Sequence, residues 1–109
     1  MEATGRHALI ELRDCNPAKL DDLPFIRTTL LEAAEEVGAT VIDDIFHQFS
    51  PQGVTGVVAI AESHLSIHTW PEFGYGAMDV FTCGTGFEVR IAAEFVIRKL
   101  ECKNPEVIE

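Results

Sequence analysis

Positive charge is scarce in this chain. Eight Lys and Arg stand against eighteen Asp and Glu over 109 residues, for a net charge of −10. Proteins grip a phosphate backbone through clustered Lys and Arg, so nucleic acid is a poor partner for it. Long apolar runs are missing as well, and none approaches the roughly 20 residues of a membrane-spanning helix. The three cysteines, Cys15, Cys83 and Cys102, contain no CxxC pair and are odd in number. That argues against a disulfide scaffold or a structural zinc site and for free thiols in a reducing compartment. The segment Met1–His7 has neither the basic nor the apolar region of a secretory signal, and the expected location is cytoplasmic.

What is present is ordinary for a soluble globule: 47% hydrophobic and 24% charged residues, enough for one domain with a modest core. The acid excess reads either as a well-solvated surface or as a field that draws in a cationic small molecule. No linker, repeat or low-complexity stretch interrupts the chain.

The pattern of apolar residues predicts the elements. His7–Leu12 reads as a strand broken by Asn16-Pro17. Asp21-Asp22 and Pro24 supply the cap and first turn of a helix whose buried stripe is Leu23, Ile26, Leu30, Ala34 and Val37, with Gly38 as its stop. Thr40–Phe49 reads as a strand and Ser50–Gly53 as a turn. Val54–Ala61 is nearly all apolar, as expected of a strand covered on both faces. His64–Trp70 and Tyr75–Cys83 are further strands, separated by Pro71 and the Phe73-Gly74 turn. Glu88–Leu100 is a second helix, and Val107-Ile108 can add an edge strand. Consecutive strands joined by tight turns make a mainly antiparallel sheet, and two amphipathic helices can cover one face of it. The expected fold is a two-layer α/β sandwich.

Chemistry concentrates in Glu62-Ser63-His64-Leu65-Ser66-Ile67-His68-Thr69-Trp70-Pro71-Glu72, with Cys83 following in Phe81-Thr82-Cys83-Gly84. Hydroxyl, imidazole and thiol are a nucleophile, a base and an acid. Taken singly they say little: a serine is usually a turn residue, a strand histidine is usually only hydrogen-bonded, and a cysteine is usually a small buried side chain. A zinc site drawn from His7, His47, His64, His68 and Cys83 lacks the spacing that would recommend it. Strand alternation puts His64, Ser66, His68 and Trp70 on one face, so Ser63 and His68 can cooperate only if Ser63 lies in a bend before the strand.

The combination closely resembles the small prokaryotic S-adenosylmethionine decarboxylases, pyruvoyl-dependent enzymes of polyamine synthesis. The resemblance runs through Gly5-Arg6-His7, Gly38-Ala39-Thr40, Phe46-His47, Gly53-Val54, Gly56-Val57-Val58, the 62–72 run and Phe81–Gly84. It implies that the chain is a proenzyme cut between Glu62 and Ser63. The Ser63 hydroxyl would attack the Glu62 carbonyl to give an ester, with Thr55 assisting. His68 would remove the Ser63 α-proton, and hydrolysis of the product would release ammonia and leave a covalent pyruvoyl group at residue 63.

The family's ketone forms a Schiff base with the substrate amine and acts as the electron sink while carbon dioxide leaves. Cys83 would then protonate the substrate carbon. Glu72 would hold the ribose, and Phe49 and His68 would sandwich the adenine. Relatives are homodimers with active sites at the subunit interface, so cleaved chain pairs forming a homodimer are expected. Thr55 stands where the family often has serine, which stiffens the side chain. The chain also ends at Glu109, earlier than many relatives. Two other readings fit the residues taken alone: a pyruvoyl decarboxylase of arginine or ornithine, and an uncleaved structural or regulatory subunit.

Overall fold

The computed structural model describes residues 5–61, 63–83 and 87–109. Its strands are β1 (Gly5–Leu12), β2 (Val41–Gln48), β3 (Val54–Ile60), β4 (Ser63–Trp70), β5 (Tyr75–Cys83) and β6 (Glu106–Ile108). Its helices are α1 (Pro17–Leu20), α2 (Leu23–Glu36) and α3 (Val89–Lys99), and a 3-10 turn covers Pro71–Phe73. The described strands form one antiparallel sheet in the order β2-β3-β4-β5-β1-β6. The α2 and α3 helices pack on one face, giving the expected two-layer sandwich. No helix among the described residues is long and apolar enough to cross a membrane.

Local chemistry sets the boundaries. The Asp22 side chain accepts from the Phe25 N–H at 3.1 Å and Pro24 occupies the first turn, which starts α2 where expected. The short α1 was not expected. Asn16-Pro17 does break β1, but the Asn16 side chain then caps a new helical turn by accepting from the Ala18 N–H at 3.0 Å. The Arg27 guanidinium grips the Asp44 carboxylate with two bonds of 2.9 and 3.1 Å, tying α2 to edge strand β2. That fork holds Asp44 below the ordinary carboxylate pKa.

The core lies between the sheet and the helices. Val58, Leu65, Ile67 and Val80 meet Ile26, Leu30, Ala92 and Val96, all fully buried. Gly56 belongs to this layer for a steric reason: a Cβ there would fall 2.0 Å from the ring of Phe46, the residue opposite it on β2. The Phe46 ring occupies the space the glycine leaves.

One expectation fails. Val54–Ile60 alternates strictly between buried and half-buried residues, so β3 is covered on one face only. Val57 and Ala59, apolar yet outward, had made it read as covered on both. They belong to an open sheet face that also carries Ile45, 72% exposed, and Leu9, 49% exposed.

A second expectation fails at the cysteines. Cys15 and Cys102 are joined by a disulfide, and Cys83 is free and exposed. An odd count does not exclude one pair, and a separation of 87 residues conceals it until the end of β1 meets the end of α3. Free thiols in all three places therefore cannot serve as a sign of a reducing compartment.

Candidate active site

The two-residue connection between β3 and β4 consists of Ala61 and Glu62, and Ile60 pairs with Ser63 across it. Ser63 is thus the first residue of β4 and does not sit in a separate bend before it. Glu62, the other half of the expected cleavage point, lies outside the described residues, as does Gly84. By alternation Ser63 lies on the helix side with Leu65 and Ile67, while His64, Ser66, His68 and Trp70 lie on the open face. Cys83, at the end of β5, falls on the open-face side of its strand. Ser63 and Cys83 line one cavity of about 200 Å³ at this end of the sheet, with Thr40 and Phe87.

The other candidates gather at the opposite end of β4. His68 pairs with Thr55 of β3, and Thr55 Oγ1 lies 3.0 Å from His68 Nδ1. The Thr55 hydroxyl can therefore fix which way the imidazole faces. Phe49, Thr55, His68, Trp70 and Glu72 line a cavity of about 330 Å³, a size suited to a small molecule. Gln52 and Trp70 share this lining and were not picked out from the sequence. Their signals were the loop before Gly53 and the outward parity of Trp70 with His68.

Hydrogen bonds to side chains and backbone tie this end together. The Asp21 carboxylate accepts from the Gly53 N–H at 2.9 Å and from the Gln48 side chain at 3.0 Å. The Phe49 N–H donates to the Gly53 carbonyl at 2.8 Å, which closes the loop that carries Phe49. Gly53 has φ +106°, and a Cβ there would press on the Thr69 carbonyl at 3.0 Å. On β4 itself, the buried Thr69 hydroxyl donates to Leu20 O at 2.8 Å and accepts from Val54 N–H at 2.9 Å. The turn that presents Glu72 follows at once. Beside it, Trp70 and Tyr75 pack with ring centroids 5.5 Å apart. The Tyr75 hydroxyl donates to Glu11 at 2.6 Å, and that bond, with burial, raises the phenol above its ordinary pKa.

The structure therefore does not bring Ser63 and His68 together within one chain. They are five residues apart on an extended strand, about 17 Å, and on opposite faces. The Ser63 hydroxyl and the Cys83 thiol lie at one end of β4; the His68 imidazole, the Thr55 hydroxyl, the Glu72 carboxylate and the aromatic rings lie at the other.

Between the two ends, the open face carries a cluster that the sequence reading missed. Asp79 of β5 lies between His7 of β1 and His64 and Ser66 of β4. Its Oδ2 is 2.7 Å from His7 Nε2 and 3.4 Å from His64 Nε2, and its Oδ1 accepts from the Ser66 hydroxyl. Burial pushes the carboxyl up, but the bonds from Ser66, His7 and His64 outweigh it and hold Asp79 below its ordinary value. Register was the missing signal: Asp79 stands opposite both Leu9 and Ser66, which no single strand reveals. No group of three or more potential ligands among the described residues is arranged to hold a metal ion.

Comparison with known proteins shows the family. The family model for S-adenosylmethionine decarboxylase matches residues 6–109. An S-adenosylmethionine decarboxylase proenzyme of Thermodesulfovibrio yellowstonii is 52% identical over 109 residues, which is 100% of this chain and 81% of that protein. One from Prochlorococcus marinus is 54% identical over 100 residues, 92% of this chain and 80% of its own. Among solved structures, the adenosylmethionine decarboxylase from Aquifex aeolicus VF5 superposes with a TM-score of 0.91 at 36% identity. The match covers 99% of this chain and 89% of that one.

Proposed function

The chain belongs to the S-adenosylmethionine decarboxylase family, and from that premise we propose that it is a self-processing proenzyme. Once processed, it removes the carboxylate of S-adenosylmethionine and yields the aminopropyl donor for polyamine (spermidine) synthesis. The observation that carries this reading is the cavity that Ser63 and Cys83 share. The serine opens β4 opposite Ile60, the last residue of β3, and the free thiol lines the same cavity.

Processing is proposed at the Glu62–Ser63 bond. Attack by the Ser63 hydroxyl moves the acyl group from nitrogen to oxygen. Loss of the α-proton then breaks the Ser63 Cβ–Oγ bond, which releases the Glu62 carboxylate and leaves dehydroalanine at residue 63. Water then displaces ammonia and leaves a pyruvoyl group at residue 63. The residues present fit such a group, because a new chain start at the head of β4 faces a cavity that already holds a thiol. A pyruvoyl group supplies an electron sink for decarboxylation. Cys83 donates the proton that replaces the carboxylate on the substrate carbon. Glu72 accepts from the ribose hydroxyls, and Phe49 and His68 bracket the adenine.

The 17 Å separation along β4 calls for a second copy of the chain. We propose a homodimer in which open sheet faces pack together, antiparallel along β4. The His68 end of one copy then lies over the open-face Cys83 of the other and reaches Ser63 through the cavity that Ser63 shares with Cys83 at the start of the strand. The half-buried Val57 and Ala59 and the exposed Ile45 and Leu9 supply the apolar surface such packing requires. Each site then combines Ser63 and Cys83 of one copy with Thr55, His68 and Glu72 of the other.

Mass spectrometry of the purified protein tests processing, with labelled carbon dioxide release from carboxyl-labelled S-adenosylmethionine testing turnover. Fragments 1–62 and 63–109, the second with a blocked N-terminus, together with release of label, are the expected result. Only intact, serine-bearing chains after prolonged incubation would remove the reading.

A further inference from the structure

Cys15 and Cys102 are 87 residues apart in sequence, and the backbone holds them together by bonds that do not involve sulfur. The Asn16 N–H donates to Leu100 O at 3.0 Å. From the other segment, the Lys103 and Asn104 N–H groups donate to Asp14 O and Arg13 O at 3.2 Å each. Lys19 and the Asn16 side chain both reach the Glu101 carboxylate, at 2.8 and 3.1 Å. The disulfide is therefore flanked on both sides by contacts that would keep the two thiols adjacent in the reduced protein. Adjacent thiols close into a disulfide far more readily than separate ones, because the loop-closure entropy has already been lost in folding.

The two cysteines also fall on opposite sides of the proposed cut. Cys15 belongs to fragment 1–62 and Cys102 to fragment 63–109. We propose that the Cys15–Cys102 disulfide is a cross-link that keeps the two fragments of the processed protein one covalent molecule. This rests on the self-processing reading above.

Without the link, the fragments are held by the β3–β4, β1–β5 and β1–β6 pairings and by helix packing, and their association depends on concentration. With it, separation of one fragment from the other becomes an intramolecular opening. The link forms when two thiols lose two protons and two electrons. A low-molecular-weight disulfide such as oxidised glutathione accepts them and leaves as two thiols. Cys83 lies at the other end of β5 and takes no part, which leaves it free for its own chemistry.

The test uses the processed wild-type protein, equilibrated in mixed reduced and oxidised glutathione, blocked with iodoacetamide and denatured. The expected mass is that of both fragments joined, carrying one alkyl group, on Cys83. Addition of a strong reductant should split it into fragments 1–62 and 63–109. Cys102→Ser should separate into the two fragments without reductant, and its thermal midpoint after processing should fall more steeply on dilution than the wild-type midpoint, which depends on concentration only through the dimer. Wild-type fragments that separate without reductant, with all three cysteines alkylated, would overturn the proposal. A reduced sample that stays one chain shows that processing itself has failed. The alkyl count on that intact chain, one or three, then reports separately whether the disulfide forms.

Discussion

The two ends of β4 carry different chemistry on one continuous strand. At its start, Ser63 and Cys83 share a small cavity beside the turn from β3, and neither is held by a side-chain partner among the described residues. At its end, His68 is oriented by Thr55, the Phe49 loop is clamped by Asp21, and Thr69 is locked into the core by bonds to Leu20 and Val54. The first end is suited to breaking and remaking bonds. The second is suited to holding a molecule still and, through His68, to accepting a proton. The extended strand between them keeps the two ends about 17 Å apart within one chain, and the proposed homodimer is the arrangement that would join them.

Ser63→Ala should break the comparison most severely. It removes the nucleophile, so the chain should stay whole and decarboxylation should vanish, while S-adenosylmethionine can still be bound at the far end. Intact mass and equilibrium binding to the uncleaved protein check both halves. Binding that disappears along with cleavage would mean that the two ends are not separable.

Cys83→Ala should spare cleavage and slow decarboxylation by roughly 10²–10⁴-fold, the usual scale for a positioned acid. With the proton donor gone, misdirected protonation should convert residue 63 to alanine more often than in wild type. The mass of the 63–109 fragment before and after substrate exposure reads that error. Unchanged turnover would make the thiol structural.

Glu72→Ala belongs to the other end and should do the reverse. Cleavage should be normal and KM should rise about 10- to 100-fold, the range expected when a hydrogen bond to a charged group is lost. A fall in kcat with KM unchanged would place Glu72 in the chemistry instead.

Much of this division was legible in the sequence, and the reasons differ by element. The strands and the main helices follow from apolar spacing and from caps such as Asp22, because those signals are local. Ser63, His68 and Cys83 stand out because the motif around them is dense and specific. The 17 Å gap could not be resolved in the same way. Alternation gave the opposite faces, but a bend at Ser63 was free to cancel it until the Ile60–Ser63 pairing excluded one. The one-sided burial of β3, the Cys15–Cys102 link and the Asp79 cluster all depend on which strands become neighbours. Composition and periodicity carry no trace of that.

Asp79→Asn, midway between the ends, should have the smallest effect. The folded pKa of Asp79 is depressed below 3.8 by bonds from Ser66, His7 and His64. Its contribution to stability is therefore full above the unfolded value, about pH 4, and is lost as pH falls through the folded value. Thermal melts should show the wild type ahead of the variant at pH 6 and the gap closing below about pH 4. A gap that widens on acidification would contradict the sign.

The division of the site between copies is tested most directly by mixing two defective chains. His68→Ala keeps Ser63 and Cys83 but has no base; Ser63→Ala keeps His68 but has no nucleophile. Neither should process alone. Co-expressed and purified as a mixed dimer, the His68→Ala chain should be cut into 1–62 and 63–109 while the Ser63→Ala chain stays whole, and decarboxylation should return to a fraction of the wild-type rate. If mixed dimers form and the His68→Ala chain remains uncut, His68 does not act on Ser63 of another copy, and the account of two half-sites is wrong.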